Sequence, residues 1–170
     1  MMHKVGEKIM YGGTGLMEIV DVREETVADT PRKYYVLREL HSKSTSQTYV
    51  PVDNKKLVAS MRPLITRCEI DELLSKAKEN KLAGIEWQQD NRVRSETFKK
   101  IIESGDREGI LSLIRTVYEN GQKRQEAGKK NYLADENLMR KAERLIAEEF
   151  SEVLGIPEED VSDYIKRATE

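Results

Sequence analysis

Trp87 is the only tryptophan among 170 residues, and it stands in the stretch LAGIEWQQDNRVRSETFKK, residues 82–100. Gln88, Gln89, Arg92, Arg94, Lys99 and Lys100 follow it closely. A planar apolar ring beside a cluster of cations is the combination used in the DNA minor groove. There Arg and Lys bind phosphates while an apolar side chain pushes against or between base steps. The same residues fit a plainer account. The indole would cap a helical core beside Ile85, with its ring N–H satisfied locally. Arg92, Arg94, Lys99 and Lys100, interrupted by Glu96, would then form an ordinary solvated helix face. Residue chemistry alone leaves both open and makes the plainer one simpler.

The rest of the chain offers little chemistry. His3 and His41 are far apart in sequence, Cys68 has no histidine near it, and no CxxC, HxxxH or HExxH spacing occurs. No metal site is expected from such a pattern. The glycines of YGGTG, residues 11–15, lack the Lys-Ser/Thr pair and following helix of a phosphate cradle and read as a hairpin turn. The pairs Glu148–Glu149 and Glu158–Glu159 diverge on a helix and read as solvated face rather than a catalytic dyad. No cofactor and no enzymatic mechanism is indicated.

Composition bounds the remaining choices. A chain of this length can bury a core and hold one or two small domains. Charged residues make up 35% and aromatic residues 6%, with a mean hydropathy of −0.68, which predicts wide solvated faces and much helix. No run approaches the roughly 20 apolar residues of a membrane span. The stretch MMHKVGEKIM has no apolar signal core, and one cysteine forms no internal disulfide, so a reducing cytoplasm is expected. Charge is uneven: residues 131–170 hold five basic against eleven acidic residues, a net −6 within a chain of net −2. Total charge therefore argues neither for nor against a polyanionic partner, and only a local basic patch could.

Two halves with different periods must position these residues. In the first, EKIMY, LMEIVDV, KYYVLREL and QTYVPVD read as short strands separated by GGTG, VADTPRK and HSKSTS. Four or five strands with such frequent turns predict a small bent antiparallel sheet or barrel. Pro51 removes a backbone donor and places the fourth strand at an edge, where unpaired amides and carbonyls could recruit a partner by strand addition. After Pro63 the period becomes helical. Helices are predicted over residues 69–80, 93–103, 106 to about 124, and 135 to about 154, with a fifth starting at Pro157. Ser104 or Asp106 can cap the third of these, and Ile110, Leu113, Ile114, Val117 and Tyr118 form its apolar face. The chain is thus expected to be α+β, with a compact bundle of about five helices after the sheet.

Several of these stretches also occur in a telling order: KVGEKIMYGGTGLMEIVDV at Lys4–Val22, YYVLREL followed by YVPVDN at Tyr49–Asn54, Glu86–Trp87 with arginines shortly after, KKIIESGD at Lys99–Asp106, and then a long amphipathic helix. In that order and spacing the chain resembles the CarD (CdnL) family of bacterial RNA polymerase-binding transcription regulators, over nearly its whole length. The resemblance implies a Tudor-like domain, residues 1–63, binding the RNA polymerase β subunit. Its edge strand corresponds to Gln47, Thr48, Tyr49, Val50 and Pro51, and an arginine ending the second strand corresponds to Arg23. It implies a helical domain, residues 64–170, contacting promoter DNA at the upstream edge of the transcription bubble. There Trp87 would wedge into the minor groove and stabilise the open complex, with Arg92, Arg94 and Lys99 on the DNA backbone. The expected protein is a monomer without a membrane partner. The alternative is an adaptor that binds only proteins and keeps Trp87 in its core.

Overall fold

The computed structural model describes residues 2–40 and 42–170; His41 lies outside them. The chain divides into two compact units, Met1–Leu64 and Ile65–Glu170.

The first unit is an open antiparallel sheet of five strands, β1 (Lys8–Tyr11), β2 (Gly15–Val27), β3 (Thr30–Glu39), β4 (Gln47–Pro51) and β5 (Met61–Pro63), in the order β4-β3-β2-β1-β5. Between β4 and β5 lies a short helix, α1 (Lys55–Ala59), capped by the Asn54 side chain. Of the two forms expected, sheet or barrel, the open sheet is present. β4 and β5 end the order on opposite sides, so Pro51 does mark an edge strand.

The stretch VADTPRK is not the loop its turn-forming residues suggest. β2 runs to Val27 and β3 starts at Thr30, leaving a two-residue turn of Ala28 (φ 50°) and Asp29 (φ 62°). Paired positive φ values give a turn whose twist matches that of the flanking strands. Pro31 is tolerated because it pairs with Thr26 on one side only, the β3–β4 ladder beginning at Tyr34. A register shift between Ile19 and Asp21 bends β2. Alternation along the strands places Ile9, Met17, Ile19, Tyr35, Leu37, Val50 and Met61 on one core face, against which Leu57 and Val58 of α1 pack.

The second unit holds five helices: α2 (Arg67–Lys78), α3 (Asn91–Ser104), α4 (Arg107–Glu126), α5 (Leu133–Leu154) and α6 (Glu158–Thr169). α2 starts two residues before its apolar period because Thr66 and Glu69 form a capping box. Hydrogen bonds from the Thr66 hydroxyl and backbone amide hold the Glu69 carboxyl below its ordinary value. α3 is capped by Asp90, which accepts from the Val93 amide at 3.0 Å, and ends at Gly105 in the left-handed conformation. Asp106 occupies the N-cap of α4 without a side-chain bond, its own amide donating to Ser104 Oγ at 3.3 Å. Phe98, Ile102, Leu113, Ala142, Leu145, Ile146 and Phe150 fill the core.

Two side chains depart from the expected faces. Tyr118 is 58% exposed, at the edge of its helix's apolar stripe, its hydroxyl accepting from Gln122 at 2.7 Å. Glu149 is not solvated. It is buried, receives Arg107 Nε at 3.0 Å and Nη2 at 2.5 Å, and also accepts from the Ile65 amide at 2.9 Å. Its neighbour Glu148, about 100° round the helix, pairs instead with Arg144 at 2.8 Å.

Candidate functional site

Trp87 lies half-buried in the segment between α2 and α3. That segment is tied to α4 through Glu108, which accepts from the Ala83 amide at 3.1 Å. The indole meets Phe98 edge-on, centroids 6.3 Å apart, and the Arg94 guanidinium sits 4.4 Å from its ring centre. Arg94 also lies 4.8 Å from the Tyr132 ring, and Arg124 lies 4.0 Å from that same ring. The result is an alternating series of indole, guanidinium, phenol and guanidinium. Cation–π contacts are strongest when desolvated, and Arg94 is 2% exposed.

This burial revises the expected role of Arg94. Its Nε donates to both Asp135 oxygens at 3.0 Å, Nη1 to the Gln88 carbonyl at 2.8 Å, and Nη2 to Asn91 Oδ1 at 2.8 Å and to Asp135 Oδ2 at 2.9 Å. A guanidinium so buried, with four of its five N–H groups engaged, cannot reach a DNA phosphate. Arg94 is a positioning residue: it holds the indole and the backbone that follows it. The signal was present in the sequence, since positions 94, 98 and 102 recur at helical spacing and form the buried face of α3. Asp135 and Tyr132, which complete the arrangement, carried no such local mark.

Arg92 and Lys99 are placed differently. Both are exposed, seven residues apart on one face of α3, with Lys100 exposed beside them. Arg92 reaches Glu96 at 3.4 Å with 89% of its side chain exposed, a solvent-screened contact that a phosphate could replace. Among the described residues no group of three or more His, Cys, Asp or Glu side chains could hold a metal ion, and no helix is long and apolar enough to cross a membrane.

On the first unit the sheet brings Arg23 of β2 beside β4. Arg23 pairs in register with Tyr34, and Tyr34 stands opposite Pro51. Tyr49, 42% exposed, packs edge-on against Tyr34 at 6.1 Å and lies under the Arg23 guanidinium at 5.7 Å. Arg23 Nη1 donates to the Tyr49 hydroxyl at 3.3 Å, and that hydroxyl donates to Gln47 Oε1 at 3.4 Å. A hydrogen bond to the Asp21 carboxylate raises the Arg23 guanidinium further above its ordinary value. Thr48 is exposed, Pro51 half-buried, and Val50 anchors the strand in the core. The edge therefore presents an aromatic ring, an amide and a permanent cation together.

Residues 3–65 match the CarD-like/TRCF RID domain family. No curated protein matches the chain. The match spans the whole five-stranded sheet, including β4 and the Arg23–Tyr49 cluster, and ends where the helical unit begins. The N-terminal unit is thus similar to the CarD-like/TRCF RID domain, a likeness that points to a transcription-related, RNA polymerase-interacting module.

Proposed function

We propose that the protein bridges the RNA polymerase β subunit and promoter DNA. The domain of residues 1–63 anchors to β through Gln47–Pro51 and Arg23, and the domain of residues 64–170 meets DNA at the upstream edge of the bubble. Anchoring raises the local concentration of the second domain at the fork. Trp87 then wedges into the minor groove and slows collapse of the open complex, while Arg92 and Lys99 bind phosphates. The observation that carries this reading is a half-buried indole braced by a buried arginine beside an exposed basic helix face. Sequence preference is weak, because the minor groove distinguishes base pairs poorly. The protein acts as a monomer in the cytoplasm and regulates transcription without catalysis or cofactor.

The test is open-complex lifetime with the cognate polymerase. Wild type prolongs it, and Trp87→Ala, with unchanged circular dichroism, loses most of that prolongation. A folded Trp87→Ala that still prolongs the lifetime would sink the wedge. If wild type itself has no effect, the chain is the purely protein-binding adaptor. Salt dependence gives a second check. Two phosphate contacts predict a slope of log K against log salt of about −1.8, and Arg92→Ala reduces its magnitude by about 0.9. An unchanged slope removes Arg92 from the interface.

On the polymerase side, Tyr and Arg are the residue types most often dominant at interfaces, at about 2 kcal/mol or more. Tyr49→Ala is therefore expected to weaken binding to an isolated β fragment by roughly 30-fold. Because the side chain lies at the sheet edge and is 42% exposed, unit stability should change less than binding does. Calorimetry of the variant against that fragment decides; an affinity within twofold of wild type would place the interface elsewhere.

A further inference from the structure

We infer that the cavity beside Trp87 receives one nucleobase unstacked from the DNA strand at the fork, an inference that rests on the promoter-edge reading above. The cavity measures about 160 Å³ and is lined by Trp87 and Tyr132, the amides of Gln122, Gln125 and Asn131, and Arg124. Pockets for drug-sized ligands run to about 300–1,000 Å³. At about 30 Å³ per water, this one has room for about five waters, and so suits a single planar ring system.

Its chemistry suits a base better than a phosphate. Two carboxylates also border the cavity, but both are engaged: Asp135 by Arg94, and Glu136 by the Asn131 amide at 2.9 Å and by Arg140 at 3.8 Å. They would repel an anion, whereas a neutral, polar, planar group meets the Trp87 indole and the amide edges. Aromatic side chains stack bases of any sequence, and amides carry both the donor and the acceptor that base edges require.

Asn131 adds a preference. Its Nδ2 is committed to Glu136, while its Oδ1 is buried without a donor among the described residues. A small turn of the amide would offer that oxygen to the exocyclic amine of adenine or cytosine, which thymine lacks. Gly121 makes room for this side chain, since a Cβ there would come within 3.0 Å of Asn131 Nδ2. The base comes from the strand rather than from a free nucleotide. One stacked ring with a few hydrogen bonds binds more weakly than about millimolar, and only tethering to the promoter supplies the needed local concentration.

The experiment uses full-length protein with the cognate polymerase on promoters in which each upstream-edge nucleotide in turn is made abasic. The readout is the ratio of open-complex lifetime with and without the protein. The ratio should fall at least about fivefold at one position, the lower range for one stacked base. At that position adenine should exceed thymine. Asn131→Leu should abolish this preference while keeping the wedge effect, and Gln122→Ala, an exposed site, should weaken the abasic sensitivity should Asn131→Leu misfold. A ratio indifferent to every abasic site overturns the inference. If Trp87→Ala still abolishes prolongation in that case, the wedge stands alone. If Trp87→Ala changes nothing, the promoter-edge reading has failed and the inference with it. Loss of the effect on adding millimolar deoxyadenosine would assign the cavity to free nucleosides and overturn the strand-base assignment.

Discussion

Arg94→Ala should lower the stability of the helical unit by about 3–5 kcal/mol, the cost of removing one partner from a buried ion pair. The substitution leaves Asp135, 3% exposed, with its charge uncompensated in the core. It also strips the Gln88 carbonyl and Asn91 of their donor, and Trp87 and Tyr132 of the cation between them. Domains are stable by only about 5–15 kcal/mol, so much of the margin disappears, and Tm should fall by more than about 10 °C. Arg94→Lys should rescue little, because an ammonium can reproduce neither the two-oxygen contact with Asp135 nor the flat stacking. The double variant Arg94→Met with Asp135→Leu separates folding from function. Apolar replacement of both partners is often neutral or stabilising, so thermal stability should return. The indole would nevertheless lose its brace, and prolongation of the open complex should stay impaired. Differential scanning calorimetry and the lifetime assay check the two halves; a Tm within a few degrees of wild type for Arg94→Ala would show that the pair contributes nothing.

Glu149→Ala should cost about 2–4 kcal/mol, from an Arg107 deprived of its carboxylate and a backbone donor left unpaired. Arg107 is 22% exposed in its side chain and can partly recover solvent, which puts the expected value below that for Arg94. The more specific consequence is local. Glu149 holds the amide of Ile65, the first residue of the helical unit. In the alanine variant that amide should lose hydrogen-exchange protection even under conditions where α5 stays folded. Glu149→Gln, which keeps an acceptor, should preserve most of the protection. Equal exchange in all three proteins would mean the contact does not hold the start of the unit.

Much was legible in the sequence because it is encoded locally. Alternation in KYYVLREL, helical spacing around Leu113 and Phe150, and Pro51 as an edge marker each depend on residues a few positions apart, and the α+β class follows from them. Trp87 could be singled out for the same reason, as an indole among polar neighbours. The two-residue turn at Ala28–Asp29 was missed because neither residue is the glycine that usually signals positive φ. What the tertiary structure alone decided is which charges meet in the interior. Arg94 shares a helical spacing with Phe98 and Ile102, but neither it nor Glu149 bears a local mark of its partner. Their partners, Asp135 and Arg107, lie 41 and 42 positions away on other helices. An ion pair is worth burying only when both charges leave water together in good geometry. No spacing within one helix records that condition, so the brace behind Trp87 and the anchor at Ile65 emerge only when the helices pack.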